Sequence, residues 1–157
     1  MIDPAILVNA VVTALRDIPS LLAEVRGDAE RITAYRDKPP DNVSLDEAIY
    51  RMPAPSVMVA WQESGPGNFA EWEAWKHQVS IFVRADDAPD LNVASGSFYR
   101  IFQAIWKGPR NAGETLRNTT VHADLYPMDV PTFRRIRDIE GVDFFEVAVT
   151  FTEIGDN

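Results

Sequence analysis

Apolar and polar residues alternate along two stretches of the chain, and each stretch predicts a strand with one covered face. In the first, Trp75 to Ala85, the residues in the apolar phase are Trp75, Val79, Ile81, Val83 and Ala85. In the second, Val142 to Ile154, they are Phe145, Val147, Val149 and Phe151. Strands of a buried parallel sheet are usually apolar throughout. The alternation therefore favours an antiparallel sheet.

Apolar residues that recur every three or four positions predict two principal helices, near residues 4–18 and 91–107. The first begins with Asp3 as N-cap and Pro4 in the first helical position. Pro19 ends this helix or offsets it into a short second one before Gly27. The buried stripe of the other principal helix is expected at Leu91, Ala94, Phe98, Ile101, Phe102 and Ile105.

Weaker patterns complete the predicted sheet. They indicate strands at residues 31–36, 57–62 and 119–126, and a strand at 132–138 that pairs with the last strand as a hairpin. Ser64 to Asn68 has the glycine and proline content of a loop. Lys38 to Met52 is an insertion or excursion, in which Ser44 and Glu47 have the spacing of a capping box.

Together these elements predict a single domain over residues 1–157 with an α+β fold. It is a mainly antiparallel sheet of four or more strands with two principal helices packed on one face. A chain of 157 residues is long enough to bury a core without a metal or a disulfide.

Charge and composition exclude several classes of function. The formal net charge is −9, from 24 acidic and 15 basic residues, whereas a protein that grips a phosphate backbone needs a basic face. No apolar run approaches the roughly 20 residues that a membrane span requires. The chain has no cysteine, which excludes disulfides, thiolate metal sites and cysteine nucleophiles.

No motif in the sequence predicts catalysis, a cofactor or a metal site. His77 and His122 lie in predicted strands without a neighbouring set of ligands, and His77 falls in the apolar phase of its strand. Clusters of acidic residues lack the spacing of a calcium loop and are expected in solvated turns. The expectation is therefore a protein that is not an enzyme.

Three features indicate contacts between subunits instead. Aromatic residues Phe69, Trp72 and Trp75 crowd the exit of the predicted loop, where exposed rings would make good interface anchors. Alternatively, Trp75 belongs to the core and the other two rings pack beneath the loop. Three arginines concentrate positive charge in an acidic chain. They pair with acidic turns of a neighbouring subunit, or they are solvated charges on an edge strand. The charged candidates are Arg134, Arg135, Arg137, Asp86 and Asp87. The third feature is the long stretch from Arg31 to Met52, with a weak strand and a helix of its own, which suits an outward-reaching contact.

Three segments of the chain carry a resemblance to a known family: the strand pair at 55–59 and 77–83, the helix at 98–106, and the closing pair at 133–138 and 145–151. In these segments and in the order of its elements, the chain resembles the tail terminator, or tail-completion, proteins of long-tailed bacteriophages. The excursion at 38–52 is longer than the simplest pattern of that family.

The resemblance implies a virion protein that is assembled in the cytoplasm of the bacterial host and forms a ring, usually a hexamer. Such a ring ends the tail tube and meets the head–tail connector proteins, while DNA passes the lumen without specific binding. An acidic lumen would repel DNA, which suits the charge of this chain. Two alternatives stay open: another neck protein, such as a head-closure or stopper subunit, and a small-molecule-binding or enzymatic α+β domain.

Overall fold

The computed structural model describes residues 2–35, 43–69, 72–85, 96–107, 125–127, 132–137 and 143–154. The helices are α1 (Pro4–Arg16), α2 (Pro19–Glu24), α3 (Leu45–Tyr50) and α4 (Ser97–Phe102), with a 3-10 turn at Ala29–Arg31 and a π-helical turn at Gln103–Lys107 after α4. The strands are β1 (Ile32–Ala34), β2 (Ser56–Phe69), β3 (Trp72–Arg84), β4 (Leu125–Pro127), β5 (Thr132–Arg137) and β6 (Asp143–Ile154).

The six strands form one sheet in the order β1-β2-β3-β6, and both β4 and β5 pair with the far edge of β6. β1 runs parallel to β2, and every other described pair is antiparallel. The predicted α+β fold with a mainly antiparallel sheet is therefore confirmed. The predicted hairpin of the last two strands is also present, because β5 pairs with β6 from Thr132 opposite Ala148 to Arg137 opposite Asp143.

The main core lies between one face of the sheet and the helices α1, α2 and α4. The alternating residues predicted to face inward do so: Val79, Ile81 and Val83 on β3 are buried, as are Phe145, Val147, Val149 and Phe151 on β6. On α4, Phe98 stacks on Phe145 with ring centroids 3.6 Å apart. Of its predicted stripe, Phe98, Ile101, Phe102 and Ile105 are buried, whereas Leu91 and Ala94 lie outside the described residues.

Local signals fix the first two helices. The Asp3 carboxylate accepts a hydrogen bond from the amide of Ala5, as expected of an N-cap. Pro19 begins α2, so the chain is offset into a second helix there. Gly27 follows with φ +68°, a left-handed conformation that glycine adopts without strain.

The opposite face of the sheet carries a second, smaller core that the sequence did not predict. α3 packs on it, and Ile49 and Met52 are buried against Met58, Phe82 and Phe144. The hydroxyl of Ser44 caps α3 by accepting from the amide of Glu47. The described part of the excursion, residues 43–52, thus folds back onto the sheet, so the expectation that it reaches outward is wrong there.

The predicted loop at residues 64–68 is also wrong, because β2 runs through it to Phe69. Pro66 lies opposite Trp75 of β3. Among the described residues, β1 pairs with β2 only at 57–59. Residues 64–68 of β2 therefore have β3 as their one described neighbour. A proline lacks an amide hydrogen and is tolerated where a strand faces no second neighbour.

Candidate functional site

A bulge in β2 aligns Ser64 with His77. The register places Trp61 opposite Val79 and Glu63 opposite Gln78, so Gln62 is the extra residue. After the bulge Ser64 lies directly opposite His77 of β3, and directly opposite residues point to the same face of a sheet. That face is the one that carries α1, since His77 is in phase with Val79.

His77 is fully buried, and both of its ring nitrogens have hydrogen-bond partners. Nδ1 lies 2.7 Å from the hydroxyl of Ser64, and Nε2 lies 2.8 Å from Oε2 of Glu153 on β6. The indole Nε1 of Trp61 donates to the Ser64 hydroxyl at 2.9 Å, and the amide of Ile2 donates to Glu153 Oε2 at 2.9 Å. We refer to these five groups as the polar network.

The donors and acceptors of the polar network are all satisfied when the imidazole of His77 is neutral. A carboxylate only accepts, so Nε2 carries the hydrogen that faces Glu153. In the neutral ring Nδ1 is then an acceptor, and the Ser64 hydroxyl donates to it while accepting from Trp61. Every polar atom named is thereby satisfied, as buried polar groups in proteins generally are.

The environment of Glu153 favours its charged form. Burial by itself would raise the pKa of this carboxyl, whose side chain is 17% exposed. Hydrogen bonds from the Ile2 amide and from His77 outweigh burial, so the pKa lies below its usual value. The network therefore connects the start of α1 to the last strand of the sheet through a carboxylate that is ionised at neutral pH.

The serine, imidazole and carboxylate have the composition of a nucleophilic triad, although sequence spacing gave no sign of it. Two observations weigh against a catalytic role. The imidazole is completely buried, and the serine oxygen already accepts a hydrogen bond from Trp61. The network ties three strands to the segment that precedes α1, which is a structural task.

The signal that could have revealed this network was the position of His77 in the apolar phase of its strand. A buried histidine needs partners for both nitrogens, and Glu153 occupies the same phase of the final strand. The partner on β2 could not have been found, because the bulge at Gln62 shifts the faces of β2. His122 lies outside the described residues.

Of the predicted interface residues, Phe69 and Trp72 form the last pair of the β2–β3 hairpin. β6 pairs with β3 only as far as Ala74, so within the described chain the last residues of the hairpin are a ribbon of two strands. We define the hairpin end as residues 61–69 of β2 and 72–76 of β3. Trp61 within it is 42% exposed, one of the large apolar side chains that face solvent.

The three arginines lie on β5 as predicted, at one edge of the sheet. Arg134 is 67% exposed and its guanidinium is 3.0 Å from Glu146, its opposite residue on β6. It therefore has a carboxylate partner within its own chain. Arg135 and Arg137 lie opposite Phe145 and Asp143 in register, and Asp86 and Asp87 lie outside the described residues.

A recess of about 160 Å³ opens at the other end of β2, beside α3. Its apolar lining includes Ala48, Met52, Pro53 and Met58, and its polar lining includes Glu30, Arg31, Thr33, Arg51 and Ser56. Arg31 is held in place because its Nη1 donates to the carbonyl of Pro55 at 3.1 Å.

Within the described parts of the chain, no group of three or more histidine, aspartate or glutamate side chains could hold a metal ion. Among the same residues, no helix is both long enough and apolar enough to cross a membrane. Comparison of the chain with protein-family models and with curated proteins returned no match.

Proposed function

We propose that this chain is a structural subunit of a bacteriophage virion, six copies of which form a ring that terminates the tail tube and joins the tail to the head connector. The observation that carries this proposal is the hairpin end. Along the hairpin end, the outer edge of β2 has no described neighbour, and an unpaired strand edge invites pairing. Such an edge is suited to contact another protein.

The segments that resemble tail terminators support the same proposal. The strand pair at 55–59 and 77–83 belongs to β2 and β3, which are neighbours in the sheet. The helix at 98–106 packs on the core face of β6, and the closing pair forms the β5–β6 hairpin. These segments thus meet in one layer of strands and one layer of helices.

The negative charge of the chain is consistent with a ring through which DNA passes. It also means that the subunits need specific contacts in order to assemble. Six copies of a chain with charge −9 repel one another, so ring closure requires local pairs of opposite charge. Arg135 and Arg137, meeting Asp86 and Asp87 of the next subunit, are our candidates for such pairs. Exposed pairs contribute only about 0–1 kcal/mol each, so apolar contacts supply most of the affinity.

Light scattering after size-exclusion chromatography, with negative-stain microscopy of the same fractions, tests the proposal. A closed ring with six times the 17.6 kDa mass of one chain is expected. The ring should bind the ends of tail tubes from the same phage. Binding to the head connector without binding to tubes would instead identify a head-closure or stopper subunit. A chain that stays monomeric at all concentrations would refute both.

A second candidate is a serine hydrolase, because Ser64, His77 and Glu153 are in hydrogen-bond contact. A fluorophosphonate probe distinguishes it from the ring subunit. Labelling that is lost in Ser64→Ala and in His77→Leu would favour the hydrolase. The ring proposal expects no labelling at Ser64, since its oxygen is engaged by Trp61 and its histidine partner is buried.

A further inference from the structure

A buried hydroxyl group without a hydrogen-bond partner lies at the recess beside α3. Ser56 is one of the residues that line this recess, and it is 3% exposed. Its hydroxyl oxygen has no hydrogen-bond partner within the part of the chain that the structure describes. Buried polar groups in proteins almost always have a partner. The exception at Ser56 therefore indicates a group that is bound from outside the chain.

The side chain of Ser56 is on the same side of the sheet as the recess. Successive residues of a strand point to opposite faces, so Ser56 and Met58 of β2 point to the same face. Met58 lines the recess and belongs to the second core under α3. Val57, which lies between them, belongs to the main core on the other face. A ligand in the recess is thus on the side of β2 that carries the hydroxyl of Ser56.

The recess has the volume and the apolar walls that a single ring requires. Its volume is about 160 Å³, and cavities of about 150 Å³ with apolar walls bind one benzene ring. Met52 and Met58, which are 4% and 6% exposed, extend the apolar lining to its buried end. Methionine side chains adapt their shape to a neighbour, and their sulfur makes favourable contacts with aromatic rings.

The charged side chains of the recess favour a neutral ligand. Nη2 of Arg51 lies 2.6 Å from Oε1 of Glu47, and Nε of Arg31 lies 3.9 Å from Oδ2 of Asp28. Both guanidinium groups are therefore matched by carboxylates of their own chain and leave no free cation for an anionic ligand. Glu30 also lines the recess, but the two guanidinium groups that share this lining disfavour a bound cation.

We propose that the recess between α3 and the start of β2 binds a small neutral molecule that has one ring and one hydroxyl group. The ring lies against the two methionines, and the hydroxyl group pairs with the hydroxyl of Ser56. A site with a buried polar group discriminates against ligands that leave this group unpaired, so Ser56 determines the specificity. The inference does not depend on ring assembly, because binding is measured in any oligomeric state.

Phenol and toluene are matched probes for this site, since they have nearly the same size and a methyl group replaces the hydroxyl in toluene. The methyl signals of labelled Met52 and Met58 report binding by nuclear magnetic resonance. We expect phenol to shift both signals and to bind about tenfold more tightly than toluene, which is roughly the effect of one net hydrogen bond. Equal affinities, or no shift of these signals with either probe, would overturn the proposal.

Two variants test whether Ser56 causes the preference for phenol. Ser56→Ala should keep the affinity for toluene and reduce the affinity for phenol to that level or below. Thr13→Ala is the matched control, because it also removes one hydroxyl, which donates to the carbonyl of Asn9 on α1, a helix of the opposite face. The control should retain the preference. A preference that persists in Ser56→Ala would show that the assignment to Ser56 is wrong.

Urea unfolding without a ligand tests whether the hydroxyl of Ser56 is unpaired in the folded chain. The change to alanine then deletes no hydrogen bond, so Ser56→Ala should unfold at the midpoint of wild type or above it. A lower midpoint would reveal a partner within the fold and would also overturn the proposal. None of these failures bears on the proposed ring, whose test is the oligomeric state.

Discussion

Replacing His77 with leucine removes the centre of the polar network while keeping a side chain of similar bulk in the core. The substitution deletes two hydrogen bonds, one to the ionised Glu153 and one to the neutral Ser64. A hydrogen bond to a charged group contributes about 1.5–3 kcal/mol, and a neutral one about 0.5–1.5 kcal/mol. The carboxylate of Glu153, only 17% exposed, also loses a partner that offset its burial. We expect His77→Leu to lower the free energy of unfolding by about 2–4 kcal/mol.

Urea unfolding at pH 7, followed by far-ultraviolet circular dichroism, measures this change as a shift in the midpoint at constant slope. Ser64→Ala is the matched control. It removes two neutral hydrogen bonds, those of the serine hydroxyl with Trp61 and with His77, but keeps the bond between His77 and the charged Glu153. Trp61 is half exposed and can donate to water, whereas the buried Nδ1 loses its partner, so a loss of about 1–2 kcal/mol, smaller than that of His77→Leu, is expected. A His77→Leu protein within about 0.5 kcal/mol of wild type, the usual range of a neutral surface change, would refute the role assigned to the network.

Three further predictions concern the carboxylate, the second core and the edge strand. Glu153→Gln should destabilise the protein at pH 7. Because the pKa of Glu153 is lowered in the folded state, its contribution to stability is present above the usual glutamate value. That contribution is lost as the pH falls through the lowered pKa, so the stabilities of variant and wild type should converge over that range. Ile49→Ala should lower the free energy of urea unfolding by about 2–4 kcal/mol, because Ile49 lies on the buried side of α3. Asp46→Ala, on the exposed side of that helix, is the control and should change little. Equal effects would mean that α3 is not packed on the sheet. Replacing Arg135 and Arg137 together by glutamate should weaken ring assembly most strongly at low salt, and light scattering that matches wild type there would show that these arginines form no contact between subunits.

Alternation in the sequence was sufficient to predict the main core. Buried apolar residues recur at every second position from Val79 to Val83 and from Phe145 to Phe151. Only one face of each strand contacts the helices, so this period identifies the core face. The other face was harder to predict, because Phe82 and Phe144 stand in the polar phase of their strands and are buried by α3. Their partner comes from a segment whose sequence resembles a loop, so no periodicity connects the two.

The prediction of a loop at residues 64–68, made from glycine and proline content, was wrong for a physical reason. Glycine and proline usually mark loops, yet in β2 they stand where one side of the strand has no described neighbour and a missing amide hydrogen costs no ladder bond. The polar network shows a related difficulty. Ser64 and His77 are 13 residues apart and Glu153 is 76 residues further on, and a bulge brings the first of them into line. Contacts of this kind depend on register, which sequence spacing does not encode.

Electron microscopy of growing tail tubes is the most direct test of the proposed function. Tube protein of the same phage is polymerised, the purified chain is added, and more tube protein follows. We expect a ring at one end of each tube and no further elongation at that end. Tubes that continue to grow at both ends, with no added density, would contradict the proposal that this chain terminates the tail.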